Sequence, residues 1–109
     1  MSREKGNVAE NKAVSFLQES GYEIVEQNFY SRFGEIDIIV MKDEVLHFVE
    51  VKSGEDYESA IYNITPQKLS RIVKTAQVYM KKHNFDSDYV FDAFVVTPDK
   101  LLLVENITL

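Results

Sequence analysis

The sequence predicts an α/β domain in which two helices flank a sheet. Residues 3–20 and 66–83 carry apolar side chains at helical spacing, so that each segment has one apolar face. Short runs rich in Val, Ile and Phe lie between and after them, which is typical of strands. A chain of 109 residues has the ordinary length of one domain. We therefore expect a single domain over residues 1–109.

Composition excludes several classes of protein. The chain contains no cysteine, so it has neither disulfides nor thiolate metal sites. No apolar run approaches the roughly 18 residues that a membrane-spanning helix needs. The N-terminal residues lack the apolar core of a secretory signal. We expect a cytoplasmic protein that does not bind membranes.

Charge is distributed unevenly along the chain. The formal net charge is −6, which argues mildly against nucleic-acid binding because phosphates repel an acidic surface. Residues 66–83, however, contain five basic residues and no acid, which leaves a net charge of −11 on the rest of the chain. Only the second predicted helix therefore offers a basic face.

The first half of the chain predicts a helix and a short strand. The helix over residues 3–20 is expected to end at Gly21, because glycine readily adopts the left-handed conformation that follows a helix. Residues 22–28 alternate apolar and polar side chains, which predicts a strand. Residues 28–33 are polar and aromatic and predict a turn that contains Arg32.

Two longer strands follow, at residues 34–41 and 45–53. The turn between them has no glycine, which favours a four-residue type I loop over residues 41–44 rather than a two-residue turn. Residues 53–65 show no clear periodicity and predict a loop beside these strands.

The second half of the chain predicts a helix and two more strands. Thr65 suits the position before the first turn, and Pro66 suits the first helical position of the segment 66–83. Residues 89–97 are almost entirely apolar and predict a central strand. A turn at residues 98–100 leads to a last short strand at 101–104.

The register of the predicted hairpin brings acidic residues together. An even-length turn pairs residues whose numbers sum to 85, so that Asp37 faces Phe48 and Glu35 faces Glu50. Opposed residues share a sheet face, and so do alternate residues along a strand. One face then carries Glu35, Asp37, Glu50 and Lys52, with apolar residues at its other end. The opposite face carries Ile36, Ile38, Val40, Val45, Val49 and Val51.

This charged face has the composition of a metal site. Like charges directly opposite each other are unfavourable unless a counter-charge is present. Lys52 supplies one positive charge, and Mg²⁺ or Mn²⁺ would supply the rest. Asp37 and Glu50 could hold the ion, with the Val51 carbonyl as a further ligand. Lys52 could then position a water or neutralise developing charge in phosphodiester hydrolysis. The alternative is that these side chains form the solvated face of a half-exposed hairpin.

Several motifs resemble an uncharacterised bacterial family, the YraN-like proteins. They are Gly21-Tyr22-Glu23-Ile24, Arg32-Phe33-Gly34-Glu35-Ile36-Asp37, Phe48-Val49-Glu50-Val51-Lys52 and Phe91-Asp92. That family is similar to the archaeal Holliday-junction resolvases of the PD-(D/E)XK nuclease superfamily. The resemblance implies a restriction-endonuclease-like αβββαβ core, in which a mixed sheet is flanked by two helices. It also implies a metal-dependent endonuclease that hydrolyses structured or branched DNA.

The resemblance assigns roles to individual residues. Asp37 and Glu50 are implied to be the metal carboxylates and Lys52 the catalytic lysine, with Glu10, Glu35 and Lys68 as accessory residues. The expected nucleic-acid contacts are Arg32, Lys68, Arg71 and Lys74. A homodimer is also implied, because a junction has two symmetric cleavage points.

A second interpretation rests on positions where this chain departs from the family. Gln27, Gly54 and Val90 stand where the family usually carries basic residues. Together with the net charge of −6, they favour a non-catalytic nucleic-acid-binding or protein-interaction module built on a nuclease fold.

Overall fold

Helices lie on both sides of a five-stranded mixed sheet. The computed structural model describes the backbone of residues 2–108 and the side chains of residues 8–108. The elements in chain order are α1 (Ser2–Glu19), β1 (Glu23–Ser31), β2 (Gly34–Lys42), β3 (Val45–Ser53), α2 (Tyr57–Tyr62), α3 (Pro66–Lys82), β4 (Asp88–Val96) and β5 (Leu101–Val104). The strand order is β1-β2-β3-β4-β5, and only β3 and β4 run parallel. The predicted α/β class with a mixed sheet between helices is confirmed.

Both long helices begin or end where the sequence predicted. Gly21 follows α1 at φ +93, and the Tyr22 N–H donates to the Leu17 carbonyl oxygen at 2.9 Å, which closes the helix end. At α3, the Thr65 side chain accepts a hydrogen bond from the Lys68 N–H at 3.2 Å, and Pro66 occupies the first turn. These caps fix the two helices that cover the sheet.

The core consists of two apolar layers, one on each face of the sheet. On one face, Ala9, Ala13 and Leu17 of α1 pack against β2, β3 and β4. On the other, α3 packs through residues that include Ile72 and Tyr79. Because strands covered on both faces have no solvated side, β2, β3 and β4 are apolar along most of their length.

The β2–β3 hairpin differs from its predicted register. Its pairs run from Lys42–Val45 to Ile38–Val49, so the paired numbers sum to 87 instead of 85. Asp43 and Glu44 form the turn with φ values of 52 and 67, which is a two-residue type I′ turn. The predicted four-residue loop was therefore wrong, and so were the pairings of Asp37 with Phe48 and of Glu35 with Glu50. Because the register differs from the predicted one by two residues, each residue of β3 still lies on its predicted face of the sheet.

Two predicted irregular segments are partly regular. Residues 53–65 contain α2, whose first turn is capped by the Asp56 carboxylate accepting from the Ser59 N–H at 2.8 Å. Ala60 of α2 is buried and lies so close to Gly54 that a Cβ added there would be 3.2 Å from the Ala60 nitrogen. β1 continues to Ser31, three residues beyond its predicted end, and only Arg32 and Phe33 form the turn to β2.

Candidate functional site

Two neighbouring strands change face at the same level of the sheet. Ile36 packs on the α3 side and Ile38 on the α1 side, although residues two apart normally share a face. On β1, Gln27 pairs with Ile38 and Phe29 with Ile36, so β1 changes face between these two pairs as well. Asn28, which stands between them, has a left-handed φ of 54. The prediction that Ile36 and Ile38 share a face was therefore wrong.

This change of face redirects Asp37 toward β3. The β2–β3 pairing stops at Ile38–Val49, just before the level of Asp37 and Glu50. The Asp37 carboxylate replaces the missing backbone partner, because its Oδ2 accepts the Val51 N–H at 2.8 Å. The N–H and carbonyl of one residue in a strand point to the same neighbour, so the Val51 carbonyl also faces the Asp37 side.

Glu50 is a largely buried acid that is paired with Lys52. The Lys52 Nζ lies 3.3 Å from the Glu50 Oε2, and the side chains are 24% and 14% exposed, respectively. Burial, the charge of Asp37 and a hydrogen bond to Asp37 raise the pKa of Glu50 to about 8, and Lys52 offsets this only in part. With its pKa at about 8, Glu50 is mostly protonated at neutral pH when no cation is bound beside it.

Asn28 connects two further acids to this pair. In the amide orientation that two neighbouring carboxylates require, the Asn28 Nδ2 donates to Glu35 Oε2 at 3.0 Å and to Glu10 Oε1 at 3.1 Å. Burial raises the pKa of Glu10, the charges of Asp37 and Glu35 raise it further, and the Asn28 hydrogen bond opposes the rise. Glu10 of α1 thus belongs to the same electrostatic cluster as the strand acids.

The remaining predicted residues divide into two groups. A cleft of about 230 Å³ is lined by the charged residues Glu35, Asp37, Glu50, Lys52, Lys68 and Arg71, together with Gly34 and Ile72. Arg32 and Lys74 do not line it; they lie over the ring of Phe33 instead. Lys68 and Arg71 therefore form the basic wall of the cleft, opposite the carboxylates of β2 and β3.

A larger cavity of about 420 Å³ lies elsewhere, between α2 and the β4–β5 turn. Its acids Glu55, Asp56, Glu58 and Asp99 are all exposed. The carboxyl group whose pKa is raised to about 8, that of Glu50, lies in the wall of the smaller cleft instead. Because strongly shifted pKa values are typical of functional sites, the smaller cleft is the better candidate for the active site, although the other cavity is larger.

The donor atoms of the cleft fit a hard divalent cation that keeps part of its water shell. Within the described part of the chain, no three His, Cys, Asp or Glu side chains are arranged to hold one metal ion. Asp37 and Glu50 offer two adjacent carboxyls, and burial together with the charge of Asp37 raises the pKa of Glu50. Mg²⁺ is commonly bound by one or two carboxylates, with waters and substrate phosphates as its other ligands. Two carboxyls and the Val51 carbonyl satisfy that requirement.

Sequence reasoning missed four residues that shape the site. Asn28 has no predicted role, although Asn is one of the few residues that tolerate a left-handed φ inside a strand. Phe33 has no predicted role either. Ser31 and Thr75, whose hydroxyls are 2.8 Å apart, join the β1–β2 turn to α3. Their pairing across 44 positions left no signal in the sequence.

Comparison with known proteins gives consistent matches along the whole chain. The uncharacterised protein family UPF0102 matches residues 9–96. A UPF0102 protein of Sulfurimonas denitrificans is 62% identical over 109 residues, and the match covers 100% of both chains. UPF0102 proteins of Aliarcobacter butzleri and Wolinella succinogenes are each 53% identical, again over 100% of both chains. Among the described residues, no helix is long and apolar enough to cross a membrane.

Proposed function

Since this chain belongs to the uncharacterised protein family UPF0102, the YraN-like family that its motifs predicted, we propose that it is a metal-dependent endonuclease for structured or branched DNA. One observation supports the proposal most strongly. Glu50 is largely buried beside Asp37 with its pKa raised to about 8, and the Lys52 Nζ lies 3.3 Å from its carboxylate. Crowded buried carboxyls destabilise a fold unless a cation or a proton compensates them, and such groups cluster at functional sites.

Each charged residue that lines the cleft has a role in this proposal. Asp37, Glu50 and the Val51 carbonyl would hold Mg²⁺ or Mn²⁺, which when bound lowers the pKa of a coordinated water and polarises a phosphate. Lys52 orients that water or stabilises the negative charge that develops on the phosphate. Lys68 and Arg71 hold the substrate backbone against the opposite wall of the cleft. Glu10 and Glu35, bridged by Asn28, fix the strand geometry around Asp37.

A non-catalytic nucleic-acid-binding or protein-interaction module is the second candidate. The net charge of −6 supports it, as do Gln27, Gly54 and Val90 at positions where the sequence resemblance anticipates basic residues. Among the described residues, no three His, Cys, Asp or Glu side chains are grouped to hold one metal ion, which also favours this candidate. This candidate predicts that Mn²⁺ does not bind, whereas the endonuclease requires that it does.

An activity assay with matched variants tests the endonuclease. Purified protein is incubated with Mg²⁺ or Mn²⁺ and labelled junctions, flaps, single strands or duplexes, and Mn²⁺ binding is measured by calorimetry. We expect Asp37→Ala and Glu50→Ala to abolish both cleavage and Mn²⁺ binding, and Asp86→Ala, at an exposed acid, to change neither. Cleavage that survives Asp37→Ala and Glu50→Ala would contradict the proposal. Absence of Mn²⁺ binding to the wild-type protein would favour the module.

Assembly is part of the same proposal. Because a four-way junction presents two symmetric cleavage points, a homodimer would place one cleft at each of them. Sedimentation of the protein with and without a junction measures its stoichiometry. We expect two chains per junction, and one chain per junction would contradict the dimer.

A further inference from the structure

We propose that Phe33 is a positioning residue, which holds Arg32 and Lys74 beside the cleft as a pair of phosphate-binding cations. The inference rests on the proposed function. The Arg32 Cζ lies 4.8 Å from the centre of the Phe33 ring, and the Lys74 Nζ lies 5.7 Å from it. Cations within about 6 Å of an aromatic ring centre are attracted by the negative charge on its face. One ring therefore lies close to two cations from different elements, Arg32 in the β1–β2 turn and Lys74 in α3.

The neutral ring leaves both positive charges available. Among the described residues, neither Arg32 nor Lys74 takes part in an ion pair. A carboxylate would hold the two cations equally well but would cancel part of their charge. An aromatic ring instead restricts two flexible side chains without neutralising them. It thereby lowers the conformational entropy that they lose when an anion binds.

The turn that carries Phe33 is fixed to α3 by hydrogen bonds. The Phe33 N–H donates to Ser31 Oγ at 3.0 Å, and the Ser31 and Thr75 hydroxyls are hydrogen-bonded at 2.8 Å. Thr75 is completely buried one position after Lys74, so its hydroxyl is a rigid anchor. The backbone of the turn is therefore held in a fixed position on α3, beside the residue that carries the Lys74 side chain.

This pair of cations adjoins the cleft. Gly34, the residue after Phe33, lines the cleft and lies so close to α3 that an added Cβ would be 3.6 Å from the Arg71 Cβ. Arg71, which also lines the cleft, precedes Lys74 by about one helical turn. A polynucleotide strand with one phosphate in the cleft would thus pass from Arg71 to Lys74 and Arg32 as it leaves. The proposed ligand is therefore a phosphodiester backbone, which these cations would bind whatever its base sequence.

A binding experiment without metal tests the inference apart from catalysis. Fluorescein-labelled oligo(dT) and a duplex are titrated with protein in EDTA, and anisotropy gives Kd at several salt concentrations. We expect Phe33→Leu to weaken binding about fivefold, because leucine has no aromatic face to hold the two cations. The slope of log Kd against log salt should fall by about 0.7 to 0.9 for each phosphate that the variant no longer neutralises. Phe33→Tyr, which keeps the ring, should restore both values to within twofold.

Two further variants separate positioning from folding. In a double-mutant cycle, Phe33→Leu should have a smaller effect when Arg32→Gln is already present, because Phe33 acts through Arg32. Lys82→Ala is the matched control, since the Lys82 Nζ lies 5.7 Å from the ring of Phe29, about two turns beyond Lys74 on α3. It should leave the Kd within twofold of wild type.

The outcomes distinguish this inference from the proposed function. If Phe33→Leu binds with unchanged Kd and salt slope, the inference is overturned, whether or not the protein cleaves DNA. If its binding weakens as expected but no substrate is cleaved by wild type, the inference holds and the endonuclease proposal fails. If cleavage occurs, Phe33→Leu should raise KM and leave kcat unchanged. If wild type binds neither probe, the inference is overturned, and the cleavage assay on junctions and flaps decides the endonuclease proposal separately.

Discussion

Asn28 holds a left-handed backbone conformation inside a strand, and the geometry of the carboxylate cluster depends on it. At φ 54 it lies beside Asp37, at the level where both strands change face. A left-handed backbone destabilises most residues by about 1–2 kcal/mol, and Asn tolerates it better than others. Because the side chain of the same residue bridges Glu10 and Glu35, one Asn supplies both the backbone shape and the hydrogen bonds.

Substitutions at Asn28 should separate these two roles. Asn28→Gly removes the amide but accepts the positive φ, whereas Asn28→Ala removes the amide and strains the backbone. We expect Asn28→Ala to be less stable than Asn28→Gly by about 1 kcal/mol, measured by urea unfolding at pH 7. Equal stability of the two variants would mean that the backbone at this position relaxes without strain.

Glu50 should make the metal-free protein less stable as the pH rises. Its pKa is about 8 in the folded protein and 4.5 as its ordinary value. A carboxyl group whose pKa is raised in the folded protein contributes stability that is fully present below the unfolded-state pKa. That stability is lost as the pH rises through the folded-state pKa. In EDTA, the free energy of unfolding of wild type should therefore fall relative to Glu50→Gln by at most about 1.4 kcal/mol per pH unit between these values.

Urea unfolding of wild type and Glu50→Gln at pH 5, 7 and 8.5 measures this difference. Glu23→Gln, at an exposed acid of β1, is the control and should follow wild type at every pH. Excess Mn²⁺ should stabilise wild type at pH 8.5 and have little effect on Glu50→Gln. Parallel curves for wild type and Glu50→Gln would show that Glu50 ionises without penalty in the fold.

The elements of the fold were largely predictable, because each has a local signal. The helices carry apolar stripes and recognisable caps at Gly21 and Thr65, and β3 lies where its alternating apolar residues place it. The type I′ turn was not predictable, because Asp43 and Glu44 lack the Asn-Gly or Asp-Gly signature of such turns. The strands on either side determine it, since their right-handed twist matches that turn type.

The Ser31–Thr75 hydrogen bond should control how firmly the β1–β2 turn is held on α3. Thr75→Val keeps the shape of the buried side chain but removes its hydroxyl, so we expect a loss of about 1–2 kcal/mol in stability. The Phe33 amide, which donates to Ser31, should exchange its hydrogen faster. Thr75→Ser keeps the hydroxyl and should preserve the slow exchange. Unchanged exchange in Thr75→Val would show that the turn is held in another way.

At the scale of the whole molecule, Asp92 ties the centre of the sheet to the C-terminal segment. Its side chain is 0% exposed, and its Oδ2 lies 2.6 Å from the His47 Nδ1. Its Oδ1 accepts the Asn106 N–H at 2.9 Å, and the Ile107 N–H donates to the Phe91 carbonyl oxygen at 2.8 Å. The buried acid of the apolar strand β4 therefore joins β3, β4 and the segment after β5.

Asp92 variants should show how much stability this connection provides. Asp92→Ala leaves the Asn106 N–H and the His47 ring without their partner, so we expect a loss of about 3–5 kcal/mol. Asp92→Asn retains an oxygen for the Asn106 N–H and offers an N–H to the ring, so its loss should be less than half as large. Thermal unfolding of both variants measures the difference. Similar losses would indicate that the negative charge itself is required.

Part of the lining of the cleft was predictable from the sequence, but the geometry of the cleft was not. The residue types of Asp37, Glu50 and Lys52 on two adjacent strands pointed to one cleft, and all three line it. Asp37 reaches β3 because β1 and β2 change face at the same level. The alternation of apolar and polar residues in the sequence does not predict such a change of face. The contribution of Phe33 depends on contacts between segments about 40 residues apart, which only the folded chain creates.

The parallel pairing of β3 with β4 has a consequence for aggregation. β1, β2 and β3 are joined by two-residue turns, whereas β4 reaches β3 only after the crossover through α2 and α3. Until that crossover forms, the apolar β3 has an unpaired edge, which is a template for pairing with other chains. Glu50 and Lys52 lie on that strand, and charges on an exposed edge oppose such pairing. Glu50→Gln should therefore refold with more light scattering than wild type, even where its folded state is the more stable of the two.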